Sequence, residues 1–192
     1  MDPITRPAAW LVRHLPGSTG TLFADADDFA VEETLAYAPE GIGSHRFVQI
    51  RKRGLDTRAA ARRLAEASGI EAAEVGWAGL KDRHATAVQW LSVPATADDS
   101  SWASLEGIEV LQTLAHPKKL KPGHIRQNQF TITLRNVEPG GLKRARAIAD
   151  VLEQEGLPFA YGPQRQGRFQ DNYIRAQAIL RGEERPPRDR RL

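Results

Sequence analysis

The 192-residue chain contains no cysteine, which removes disulfides, thiolate metal sites and a cysteine nucleophile together and fits a reducing compartment. The cytoplasm is the expected location. Nowhere do about 18 apolar residues run together, and the opening Met1-Asp2-Pro3-Ile4-Thr5-Arg6-Pro7 has no basic segment leading into an apolar core. Neither membrane insertion nor export is indicated. There is no G-x-x-x-x-G-K-[ST] phosphate loop and no H-E-x-x-H pair. The five histidines, His14, His45, His84, His116 and His124, include no i, i+4 pair, so no metal site is expected. No spacing gathers a serine, a histidine and an acid, and a hydrolase triad is not proposed.

What is present is an ordinary globular balance, 41% hydrophobic and 27% charged, long enough for one main domain with a substantial core. Residues 1–184 are expected to form that domain. Residues 185–192, Arg-Pro-Pro-Arg-Asp-Arg-Arg-Leu, are too charged and proline-bearing to pack and read as a solvated tail or a cut linker. The net charge of +3 is modest but uneven. Between His116 and Arg126 lie Lys118, Lys119, Lys121 and two histidines with no acid, and residues 51–63 hold six basic residues against Asp56. Either run suits phosphates or a solvated face; acids gather instead at Asp25, Asp27, Asp28, Glu32 and Glu33.

Periodicity places short strands at 21–23, 29–35, 45–52, 75–78, 87–93 and 107–114. The clearest alternation is at 128–137, with Phe130, Ile132 and Leu134 forming one, core-facing side. Asp56 offers an N-cap for a helix running to about Ser68, with Gly69 as its stop. Two further helical stripes, Leu142-Ala145-Ala149-Leu152 and Tyr173-Ala176-Leu180, end at Gly156 and Gly182. Strands outnumber helices without strict βαβ alternation, which gives an α+β fold with a mixed, mainly antiparallel sheet flanked by helices.

The chemistry-bearing stretch is Gly79-Leu80-Lys81-Asp82-Arg83-His84-Ala85, which a short apolar strand delivers into a loop. A lone carboxylate among cations suits a nucleophile, since neighbouring positive charge favours its ionised form. A solvated turn opening a strand has the same composition. Gln89 shares a strand face with core-like residues and needs a partner, either substrate or neighbouring backbone. Phe29 and Asn128 read most simply as a core aromatic and a turn residue.

Gly79-Leu80-Lys81-Asp82-Arg83-His84-Ala85 with Gln89 resembles the G-x-K-D-x-x-A active-site motif of the tRNA pseudouridine synthase D (TruD) family. Asp28-Phe29-Ala30-Val31-Glu32-Glu33 resembles its D-F-x-V-x-E element, and Asn128-Gln129-Phe130 its N-x-F element, in the same order. The resemblance implies a pseudouridine synthase catalytic-domain fold and isomerisation of uridine to pseudouridine in tRNA, at position thirteen of the D-arm. It implies tRNA as partner and neither cofactor nor metal. By the same resemblance Asp82 is the nucleophile, Phe29 and Asn128 hold a uridine flipped out of its stack, and Phe130 and Gln89 line its pocket. Lys81 either keeps Asp82 ionised or meets a phosphate.

The resemblance is imperfect. Phe23 stands where the family usually has Lys, Ala87 where the motif usually has Thr, and Tyr161-Gly162-Pro163-Gln164-Arg165-Gln166-Gly167 replaces both aromatics of F-G-x-Q-R-F-G. Family members also continue past this length, with a segment that completes the catalytic domain. The expectation is therefore an N-terminal portion of that domain, its cleft completed by the missing segment or another chain. The alternative is a catalytically impaired RNA-binding remnant of the same family.

Overall fold

The computed structural model describes residues 12–156 and 171–183; the 161–167 motif and the 185–192 tail lie outside the described residues. The chain divides into two compact units, Gly20–Val137 and the flanking Met1–Thr19 with Glu138–Leu192.

The first unit is built on a six-stranded sheet. Its strands are β1 (Phe29–Leu35), β2 (His45–Lys52), β3 (Gly76–Trp77), β4 (Thr86–Pro94), β5 (Ile108–His116) and β6 (Ile125–Ile132). They lie in the order β5-β2-β4-β1-β6, with β3 paired to β4 beside that path. Only β1 and β4 run parallel; every other pair is antiparallel. The mixed, mainly antiparallel sheet is thus the one expected.

Helix α1 (Thr57–Ala67) follows β2 because Asp56 caps it, its Oδ1 accepting from the Ala59 N–H at 2.8 Å. Its sequence, TRAAARRLAEA, puts Ala60, Ala61, Leu64 and Ala65 on the buried side, with Arg58, Arg62 and Glu66 exposed. That alanine-rich face packs with Leu64 against Val48, Ile50, Leu91 and Val93 of β2 and β4. Truncating fully buried Leu64 to Ala would cost about 2–5 kcal/mol. A second cluster holds Leu35, Phe47, Ala78, Trp90 and Leu120. Two cores explain why β4 does not alternate buried and open residues: Gln89, Trp90, Leu91, Ser92 and Val93 are all buried in the sheet's centre.

Three expectations are corrected. Residues 21–23 form no strand; Thr21 makes a single bridge to Arg135. Strand β6 begins at Ile125 and ends at Ile132, earlier than the alternation suggested. Phe130, Ile132 and Leu134, read as core-facing, are each about half exposed. The reason is topological: β6 is an outer strand of the sheet, paired to β1 alone, and it is exposed from Arg126 onward.

In the second unit, α2 (Gly141–Glu155) ends at Gly156, whose φ of 82° continues no helix, and α3 (Asn172–Leu180) is followed by Gly182. Arg144 pairs with Glu138 at 2.5 Å and its Nε donates to the Gly17 carbonyl at 2.9 Å. Both helices fall where expected, yet Leu142 and Leu180 of their apolar stripes are exposed among the described residues.

Candidate active site

The site begins with a gap in strand pairing. Along one edge of β4, β1 takes Thr86, Ala87 and Val88, while β3 takes Leu91 and Ser92. Between them the Trp90 N–H has no strand to meet, and Oε1 of Glu33 accepts it at 3.2 Å. The other carboxylate oxygen of Glu33 accepts from Nζ of Lys81, forming an ion pair whose side chains are 0% and 5% exposed. Such a pair stays buried only because each charge is met.

Beyond β3 the chain enters the loop carrying Asp82, and two further groups hold that loop. The Lys81 N–H donates to Oγ1 of Thr57 at 2.7 Å, and that hydroxyl donates to Oε1 of Gln89 at 2.9 Å. Lys52, wholly buried, donates from Nζ to the backbone carbonyls of Asp82 at 2.7 Å and Leu55 at 2.5 Å. Burial pushes the Lys52 ammonium down to about 8, opposed by the charges of Asp56 and Asp82. Anchors from β1, β2 and α1 therefore fix the backbone on both sides of an exposed Asp82 carboxylate.

Leu80, Lys81 and Asp82 form the wall between two clefts. One, of about 110 Å³, is lined by Phe29, Val31, Ala85, Asn128 and Phe130 with these three residues. The pairing of β1 with β6 creates it, setting Val31 opposite Phe130 and Glu33 opposite Asn128. The other, of about 370 Å³, is lined by Asp56, Thr57, Arg58, Arg62 and Arg83 with the same wall. An apolar, aromatic cleft and a basic one thus meet at one carboxylate.

Phe23 extends the aromatic side. Its ring meets Phe29 edge-on at 5.3 Å, and Phe29 lies 5.8 Å from Phe130. Phe23 holds this place with φ of 58°, a left-handed backbone that is strained for a bulky side chain. The entry to β1 is pinned by Asp28, which is nearly fully buried. Arg135 donates from Nε to both its oxygens, at 2.8 and 2.9 Å, and holds its carboxyl below the usual range.

Of the residues singled out from sequence, Asp82, Phe29, Lys81, Asn128 and Phe130 line one cleft. Gln89 does not; it is fully buried and reaches the loop through Thr57. Lys81 is corrected: its ammonium is buried and pairs with Glu33, neither standing at a surface for phosphate nor bonded to Asp82. Lys52 and Thr57 were missed, and Glu33, named as the last position of the D-F-x-V-x-E element, was given no role. A signal existed for two of them, since Glu33 follows Phe29 and Val31, and Lys52 follows Val48 and Ile50, at the two-residue period of a buried face.

Comparison with known proteins gives the family. The family model described as tRNA pseudouridine synthase D (TruD) matches residues 8–185. A protein named tRNA pseudouridine synthase D from an Anaeromyxobacter species is 43% identical over 93% of this chain and 51% of its own length. One from Thermus thermophilus is 36% identical over 94% of this chain and 52% of its own. A crystal structure assigned to tRNA pseudouridine synthase D from Methanosarcina mazei superposes with a TM-score of 0.77 at 26% identity, covering 88% of this chain and 40% of that one. The chain spans about half the length of the curated relatives it matches. On these matches, the chain belongs to the tRNA pseudouridine synthase D family.

Proposed function

We propose that this chain carries the nucleophile-bearing part of a pseudouridine synthase that isomerises a uridine of tRNA, the uridine at position thirteen of the D-arm. The observation that carries this reading is convergence: three motifs from distant parts of the chain meet in the cleft of Asp82, Phe29, Asn128 and Phe130.

In the reaction the N1–C1′ glycosidic bond breaks, the uracil turns while held, a C5–C1′ bond forms with loss of the C5 proton, and N1 ends protonated. Reactant and product have the same composition, so no co-reactant is consumed. Asp82 is the nucleophile, its position set by backbone anchors rather than by contacts to its own carboxylate. Phe29, flanked by Phe23 and Phe130, supplies a stacking surface for a base taken out of its helix. Asn128 supplies hydrogen bonds to the base edge. Arg58, Arg62 and Arg83 around the adjoining cleft supply charge for the RNA backbone.

A second reading is favoured by one observation, the exposure of Phe130 and Ile132 on outer strand β6. In that reading the cleft is unfinished in this chain alone, RNA is bound without turnover, and a further segment or another chain closes the apolar side.

The test is release of tritium from unmodified tRNA carrying tritium at uracil C5, with wild type beside Asp82→Asn. Release by wild type alone supports the enzyme; equal rates in both would remove Asp82 as nucleophile. No release with tRNA binding retained would favour the second reading.

A further inference from the structure

A second polar cavity lies at the opposite end of the sheet from Phe29, where β1 and β4 finish. It is about 710 Å³ and open, and its lining includes Tyr37, His45, His116, Lys118, Lys121 and His124. The strand register accounts for this gathering: His45 opens β2 directly opposite His116, which closes β5, while Tyr37 follows β1 and His124 precedes β6.

The cavity is built rather than incidental. The His116 ring is 5% exposed and held between Tyr37, stacked at 5.3 Å, and Phe47 at 4.4 Å. Its Nδ1 is buried without a hydrogen-bond partner, a condition that proteins rarely leave unmet. The Tyr37 hydroxyl lies 2.5 Å from Nδ1 of His124. Burial pushes that phenol up, so it keeps its proton, and the contact fixes the orientation of the His124 ring at the cavity. The backbone around His116 is fixed as well. Gly43 has φ of 134°, and a Cβ there would lie 2.3 Å from the His116 carbonyl carbon. Ser44 Oγ donates to the Pro117 carbonyl at 3.0 Å. Lys119 is spent on the Ala73 carbonyl, while Lys118 and Lys121 stand exposed at the rim; Glu40 is the one acid in the lining.

We propose that this cavity binds a backbone phosphate of the substrate RNA, remote from the target uridine, with His124 facing the phosphate oxygens, His116 walling the cavity beside them, and Lys118 and Lys121 supplying charge. The inference rests on the reading of the chain as an RNA-modifying protein. His116 lines the cavity with its Nδ1 turned into the protein, so the phosphate meets the accessible groups of the rim, His124, Lys118 and Lys121, and the open mouth admits it as part of a larger molecule. The two clefts are separated by the length of β1, roughly 20 Å of strand, so one folded RNA can occupy both.

The experiment follows the histidine ring nitrogens by NMR in the whole chain as unmodified tRNA, or inorganic phosphate, is added, and measures tRNA affinity against salt for wild type and Lys118→Gln/Lys121→Gln. The expected result is movement of the His124 resonances with tRNA, an affinity reduced about five- to tenfold in the variant, and a salt slope shallower by one to two contacts. Unmoved His124 resonances with unchanged affinity in the variant would overturn the proposal while leaving the enzymatic reading intact. Shifts with inorganic phosphate but none with tRNA would overturn the assignment to RNA. Absence of any tRNA binding by wild type would overturn both readings.

Discussion

Glu33 and Lys81 form an ion pair sealed inside the sheet, one residue before the carboxylate of Asp82. The pair also fills the break between β1 and β3 along β4, because Glu33 accepts the Trp90 N–H that neither strand reaches. One buried carboxylate thus serves the sheet and the Asp82 loop together.

Removing one partner should therefore be severe. Glu33→Gln or Lys81→Met leaves an unmatched buried charge and is expected to cost about 3–5 kcal/mol in denaturant unfolding. The double variant should lose clearly less than the two single losses added, since the same pair is broken in both. Additive losses would mean that the two side chains do not depend on each other.

Lys52 is expected to titrate near 8, well below an ordinary lysine, because it is buried. Above that midpoint the unfolded chain holds more proton than the folded one, so the stability contributed by Lys52 rises from about 8 toward the usual lysine value. Below it, the cost of burying the charge is present in full. Asp82→Asn removes a charge that favours the ammonium and should lower the midpoint further. Nitrogen NMR of the Lys52 Nζ reads both values, and a midpoint near that of an exposed lysine would contradict the burial seen here.

Asp28 sets an acid limit. Its carboxyl is held low by Arg135, so the stabilisation is complete above the unfolded carboxylate value, about 4, and is lost as pH falls through the lower folded value. Thermal melts from pH 7 to pH 2 should show a steeper acid loss for wild type than for Arg135→Gln. Parallel curves would show that the contact contributes nothing across this range.

Phe29→Ala tests the stacking surface. Base–aromatic stacking is worth about 1–3 kcal/mol per base, so tRNA turnover efficiency should fall by about 5- to 150-fold. An unchanged efficiency would remove Phe29 from the base-binding role.

Much of the scaffold was legible in the sequence because its signals are local. Asp56 caps α1, Gly156 follows α2, and the bounds of β1 and β2 follow the pattern of their own residues. What failed depended on neighbours that no local pattern contains. Phe130 and Ile132 alternate like core residues, but their exposure is decided by the place of β6 at the sheet's edge. Gln89 looked available to a ligand, and only the approach of Thr57 from α1 shows its carbonyl already engaged. Lys81 looked like a surface cation beside Asp82 because Glu33, its partner, lies 48 positions away.

The register of β1 on β6 also has a kinetic side. Phe29 and Phe130 belong to strands about a hundred residues apart in the chain, whereas β2, α1, β3 and β4 follow one another closely. Closing so long a loop is entropically slow, and non-local pairing governs folding rate more than stability does. The cleft between Phe29 and Phe130 should consequently be among the last features to form during refolding, with the Phe29–Phe130 contact recovered after the β2–β4 core has become protected from hydrogen exchange.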